Sequence, residues 1–134
     1  MSTFRSVEEA RAYFKGDRYA AMTGADLLEL YEDGCLAGME VTEFHRNALG
    51  GVMGGAIFTL ADYAFAVSCN QDHLGTVAIN VNVSYLSAPK GRWLYARAKV
   101  LKSGRTTIVC EVTVTDDTGR EVALFTGTGF KLQG

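Results

Sequence analysis

Apolar residues in the segment 54–70, GGAIFTLADYAFAVSCN, fall on every face at helical spacing, which predicts a long helix enclosed all round rather than lying on a surface. Beyond it the period changes from 3.6 to 2. Residues 76–86, TVAINVNVSYL, alternate apolar and polar, placing Val77, Ile79, Val81, Val83 and Tyr85 on one face of a predicted strand. Residues 93–101, 106–114 and 121–130 read as three further strands. They are separated by turns at Ser103-Gly104 and at Asp116-Asp117-Thr118-Gly119, and the only proline, Pro89, begins a turn ahead of them. Before the long helix, strands over 27–31 and 36–44 flank the hairpin signal Asp33-Gly34. Ser6-Val7-Glu8-Glu9 has the S-x-x-E form of a capping box and predicts a short helix to about Lys15, ended by Gly16.

The predicted order is therefore helix, two strands, long helix, four strands, in one domain spanning residues 1–134. An antiparallel sheet needs one face covered, and the segment 54–70 is the only element apolar enough to cover it. The expected class is α+β. A helix apolar on all faces is not satisfied by one sheet. Its remaining face must meet another protein surface, most simply a second copy, so a homodimer is expected.

Asp62 is the only charged residue within that helix. Stripping a lone carboxylate of water costs several kcal/mol unless it is paired, hydrogen-bonded or neutral. One reading is an Asp satisfied by a neighbouring backbone or hydroxyl group. The other is chemistry. The helix is entered through a loop, residues 45–53, rich in Asn47, Gly50 and Gly51, and then through Gly54 and Gly55. Glycines let a ligand approach the backbone, and the first N–H groups of a helix lack internal acceptors. Such donors, with the helix dipole, suit a developing oxyanion. Tight helix–sheet packing accounts for the glycines equally well. Asp62 lies roughly 12 Å along the helix from Gly54 at about 1.5 Å per residue, too far for both to act on one carbonyl. Two such helices paired antiparallel would bring Asp62 of one chain to the Gly54 end of the other.

Composition narrows the alternatives. The formal net charge of −2 argues against non-specific nucleic-acid or anionic-membrane binding, which needs clustered positive charge. The opening MSTFRSVEEA is polar and acidic where a secretory signal would be apolar, and no run suits a bilayer span, so a cytoplasmic protein is expected. Cys35, Cys69 and Cys110 are odd in number and lack metal-site spacing, and only His45 and His73 add imidazole; reduced thiols and no metal site are expected.

The run NALGGVMGGAIFTLAD, residues 47–62, resembles the N-x-x-G-x-x-H-G-G-x-x-x-x-L-x-D signature of PaaI-type hotdog-fold thioesterases. The resemblance extends through VNVSYLSAPKG (81–91) and KSGRTTIVCEVTV (102–114), most of the chain beyond residue 20. It implies a hotdog fold, an antiparallel sheet wrapped around one long central helix. It further implies a homodimer, often a homotetramer, that hydrolyses acyl-CoA without cofactor. By position, Asp62 would be the catalytic carboxylate, as general base or nucleophile. Gly54, with Gly55, would offer N–H to the thioester oxygen, and Asn47 would orient the carbonyl or the water. Met53 stands where the family has histidine, and methionine neither donates a hydrogen bond nor carries a proton.

Around this motif, Phe58, Tyr63 and Phe65 are candidate acyl-pocket residues, although core packing explains them too. Lys102 and Arg105, with Lys90 and Arg92, are candidates for the phosphates of coenzyme A, against the alternative of plain solvated surface. His45 reads as a strand-end residue and Cys69 as a small buried hydrophobe. The leading functional reading is an acyl-CoA thioesterase. A non-catalytic acyl-CoA-binding or regulatory hotdog protein is the alternative, kept open by Met53. A hydratase of the same fold ranks last, because the motif supplies no histidine.

Overall fold

The computed structural model describes residues 2–133. Ser6 caps α1 (Val7–Phe14), its hydroxyl accepting the Glu9 N–H at 3.1 Å. The Glu9 carboxylate reaches Arg5 N–H at 3.0 Å, one residue before the partner a regular capping box would use. Phe14 packs edge-on against Tyr63 of the long helix at 6.1 Å.

A second short helix, α2 (Arg18–Thr23), lies where no element was expected. Six residues carry too little periodicity to be read. Its end is nevertheless written in Gly24, which takes the left-handed conformation (φ 99°) that closes helices.

β1 (Asp26–Tyr31) and β2 (Gly34–Glu40) form the expected hairpin, with Glu32 and Asp33 as its two-residue loop. β2 begins earlier than predicted and stops at Glu40 rather than at Phe44. The reason is local hydrogen bonding that competes with the sheet. Thr42 Oγ1 accepts the Phe44 N–H at 3.2 Å and starts a single 3₁₀ turn, Glu43–His45. His45 is buried inside this turn, not at a strand end. Its Nδ1 accepts the Thr42 N–H at 3.0 Å, and its Nε2 meets the Thr23 carbonyl at the end of α2 at 2.5 Å.

The long helix, α3 (Gly54–Asp72), is followed by β3 (Thr76–Tyr85), β4 (Trp93–Ser103), β5 (Thr107–Asp116) and β6 (Glu121–Lys131). All six strands make one antiparallel sheet in the order β1-β2-β4-β5-β6-β3. This is the sheet-around-helix architecture that the resemblance implies. One sheet face closes on α3, burying Leu27, Met39, Leu94, Ile108, Val112 and Phe125 together with Leu60 and Val67 of the helix. At Gly127 the helix comes so close that a Cβ would lie 2.6 Å from the Phe65 ring, so only glycine fits.

Within one chain the helix keeps an open face, as expected of a helix that one sheet cannot enclose. Phe58, Thr59, Asp62 and Ala66 remain half-exposed and Gly55 exposed, at the spacing of a single stripe. One expectation is corrected: the five apolar residues of β3 do not share a face. A bulge between Ala78 and Asn80 slips the register, so Val77 pairs with Phe130 on the outer face, while Val81, Val83 and Tyr85 lie on the helix face with Gly127, Phe125 and Ala123.

Candidate active site

Asp62 sits on the uncovered stripe of α3, beside a cleft of about 450 Å³. The cleft runs between α3 and the start of α2, and is lined by Phe58, Thr59, Asp62 and Tyr63 on one side and by Asp17, Arg18, Tyr19 and Ala20 on the other. No described residue donates a hydrogen bond to the Asp62 carboxyl. Burial pushes its pKa up, and the nearby Asp17 carboxylate adds to that rise. The Asp is therefore not one satisfied by backbone or hydroxyl groups. It is half-buried, unpaired among the described residues, and open to a cavity.

The start of α3 is built by the loop before it. Asn47 Oδ1 accepts the N–H groups of Leu49 (3.0 Å) and Gly51 (3.1 Å), while its own N–H donates to Gly51 O at 2.8 Å. Two N–H donors aimed at one side-chain atom identify that atom as oxygen and leave the Nδ2 amine facing outward. Asn47 thus shapes the loop first. Met53 occupies the N-cap, its N–H donating to His45 O at 2.8 Å and its carbonyl accepting from Ala56 at 3.0 Å. Its side chain is exposed. Between these bonds, the N–H groups of Gly54 and Gly55 have no acceptor among the described residues.

Gly54 faces a different cleft from Asp62, about 380 Å³ in volume, lined by Val52, Ile57 and Tyr85 to Pro89. One chain therefore holds the acid and the backbone donors apart, as the helical spacing predicted. Phe58 joins Asp62 in its cleft, with its ring edge-on to Phe125 at 5.5 Å. Phe65, by contrast, is core, tilted against Phe125 and seated over Gly127. Lys102 and Arg105 lie in the β4–β5 hairpin at the opposite end of α3. Ser103 Oγ there donates to Asp72 at 2.7 Å, and Lys131 Nζ reaches Gly104 O at 2.6 Å. At about 1.5 Å per residue the length of α3 puts that hairpin roughly 27 Å from Gly54.

Cys69 is buried with its Sγ 3.6 Å from Cys110 Sγ, and that hydrogen-bonding neighbour and burial push its pKa far up, as for an inert core thiol. Asp17 and Tyr19, which wall the cleft of Asp62, escaped the sequence reading. They lie some 45 residues upstream of Asp62, Asp17 at the N-cap of α2 and Tyr19 in its first turn.

The thioesterase superfamily model matches residues 49–123 of the chain. The chain belongs to the thioesterase superfamily. The Escherichia coli K12 acyl-coenzyme A thioesterase PaaI is 31% identical over 128 residues, spanning 95% of this chain and 91% of that protein. The solved structure of the E. coli PaaI protein from the phenylacetic acid degradation operon overlays with a TM-score of 0.88 at 30% identity, covering 95% of this chain and 93% of that one. A hypothetical thioesterase from Streptococcus pneumoniae TIGR4, solved with coenzyme A, overlays at 0.78 with 26% identity, covering 87% and 94%. The sheet and helix of this thioesterase-superfamily chain are thus the hotdog fold. The matched region begins at Leu49 and takes in Met53, Gly54, Gly55 and Asp62, the residues whose geometry is described above. Among the described residues no helix is long and apolar enough to cross a membrane.

Proposed function

We propose that this chain, as one hotdog domain over residues 1–134, hydrolyses acyl-CoA thioesters at a composite site shared by two copies. Asp62 of one subunit activates water toward the thioester carbonyl or attacks it directly. The N–H groups of Gly54 and Gly55 of the other subunit receive the developing oxyanion. The observation that carries this reading is the separation within one chain: an unpaired carboxylate on one cleft and the amide donors at the start of the helix, where Gly54 lines another, with an uncovered stripe on the same helix between them. Antiparallel pairing of two α3 stripes covers that surface and brings each acid to the other helix's start. The outward Nδ2 of Asn47 then orients the carbonyl or the water.

The sheet supports the same pairing. β3 is an edge strand of ten residues with no charge and no proline, and Val77, Ile79 and Tyr85 on it are exposed. An edge so little guarded is a template for a second strand, and a second β3 fits it. A homodimer follows, with a homotetramer of paired dimers as the larger assembly. In that arrangement Lys102 and Arg105 lie about 15 Å along the helix from their own Asp62, a span suited to CoA phosphates held beyond an extended pantetheine arm. Three buried free thiols fit a reducing cytoplasm.

The test is thiol release from short, medium, long and aromatic acyl-CoAs, including phenylacetyl-CoA, with Asp62→Ala as control. The composite site is tested by complementation. Asp62→Ala removes the acid. Gly55→Pro removes one donor in the first helical turn, where no intrahelical hydrogen bond is lost and where a Cβ on Gly55 meets nothing within 4 Å. Each variant alone is expected to be inactive, and co-expression to restore activity through mixed dimers. No recovery in verified mixed dimers rejects the shared site. Met53 favours one second reading, a binding protein that lacks the family histidine. Tight binding of a non-hydrolysable acyl-CoA with no thiol release from any substrate selects it.

A further inference from the structure

Tyr85 ends β3 with its side chain on the start of α3. Its hydroxyl donates to the Gly54 carbonyl oxygen at 3.0 Å. The ring lies against Gly54 itself, since a Cβ there would sit 3.2 Å from both Cζ and the hydroxyl oxygen. Within the single chain Tyr85 is 51% exposed, so burial in its own fold does not force the hydroxyl onto this carbonyl. The contact therefore asks for a purpose other than burial.

The planarity of the peptide bond supplies one. Gly54 C=O and Gly55 N–H belong to a single peptide plane and point in opposite directions. A donor bound to the carbonyl draws electron density from the amide, and linked hydrogen bonds strengthen one another. The Tyr85 hydroxyl thus fixes the tilt of that plane and makes the N–H at its other edge a stronger donor. That N–H has no acceptor among the described residues, and Gly55 itself is exposed.

We infer that Tyr85 is a positioning residue of the thioesterase site, aiming and polarising the Gly55 N–H toward the thioester oxygen through the Gly54–Gly55 peptide. The inference rests on the proposed oxyanion role of Gly54 and Gly55. It also ties β3, the edge offered to a partner strand, to the helix start where the chemistry is placed.

Tyr85→Phe removes the hydroxyl and keeps the ring against Gly54. Its kcat on a good acyl-CoA substrate is expected to fall about 3- to 10-fold, below the loss from deleting an oxyanion donor outright, with KM and melting temperature unchanged. A second readout does not need turnover. The infrared carbonyl stretch of a bound acyl-CoA amide analogue, lowered in the wild-type protein relative to free analogue, is expected to move back toward the free value in Tyr85→Phe. An unchanged kcat, a change in KM alone, or an unchanged carbonyl frequency overturns the inference. Absence of thiol release from the wild-type protein strikes the thioesterase reading instead, and the carbonyl frequency still reads Tyr85 separately.

Discussion

Asp17 at the start of α2 and Asp62 in the middle of α3 line one cleft, and the charge on Asp17 adds to burial in holding the Asp62 carboxyl above the ordinary carboxylate range. A base acts only when ionised, so kcat/KM is expected to rise with pH across the acidic side of neutrality until Asp62 has lost its proton. Asp17→Asn removes the repelling charge, lowers the Asp62 pKa, and shifts the rising limb toward more acidic pH. Profiles of kcat/KM for both proteins on one acyl-CoA check this. A limb that stays in place, or shifts upward, breaks the coupling.

Asp62→Asn separates catalysis from folding. Turnover is expected to fall by about 10²–10⁴-fold, the range for loss of a positioned acid–base group. Stability moves the other way. A carboxyl whose folded pKa is raised adds stability below its unfolded value, and that contribution is lost as pH rises through the folded value. At neutral pH the ionised Asp62 is therefore a cost that Asn does not carry. Melting curves at pH 7 should place the variant at or slightly above the wild-type protein; a clear drop would mean that Asp62 is structural.

How much of this was legible depends on whether the signal was local. Ser6 at the α1 cap, the turn beside Asp33, and the starts of α3 and β3 were readable because periodicity and turn chemistry act over a few residues. Asp62 stood out because it alone is charged in the apolar segment 54–70. The β3 bulge was hidden because Val77, Ala78 and Ile79 are all apolar, so a slip of one residue leaves no trace in the alternation. The end of β2 was read four residues too far along because the polar Thr42, whose side chain starts the 3₁₀ turn, looks like one more step of a strand. The wall of the acid's cleft, Asp17 and Tyr19, and the Tyr85 bond to Gly54 join residues roughly 30 to 45 positions apart, and a one-dimensional pattern carries no record of such pairs.

Asp116 anchors the sheet end that carries the β5–β6 turn. Burial alone would push its pKa up. Hydrogen bonds from the Thr118 hydroxyl and from the N–H groups of Lys90, Arg120 and Thr118 outweigh it and hold the carboxyl down at about 2. The stability it lends is present above its unfolded value and is lost as pH falls through about 2. Asp116→Ala orphans these donors together and is expected to cost about 2–3 kcal/mol in urea unfolding at pH 7, with the gap to wild type narrowing toward pH 2. A gap that does not change with pH would assign the loss to packing.

Ile79 tests whether one chain is enough. It is the bulge residue of the β3 edge and is 59% exposed, with no charge elsewhere on the strand to block a partner. A lysine on a bare edge opposes pairing with a second strand while leaving the pairing of β3 with β6 in place. Ile79→Lys is therefore expected to run as a monomer by light scattering and to unfold cooperatively. Its kcat/KM should be lower by at least about 100-fold, because each half-site loses the groups supplied by the other. Full activity in a verified monomer would show that Asp62 does not need a second subunit's Gly54. A variant that stays dimeric would move the interface away from the β3 edge.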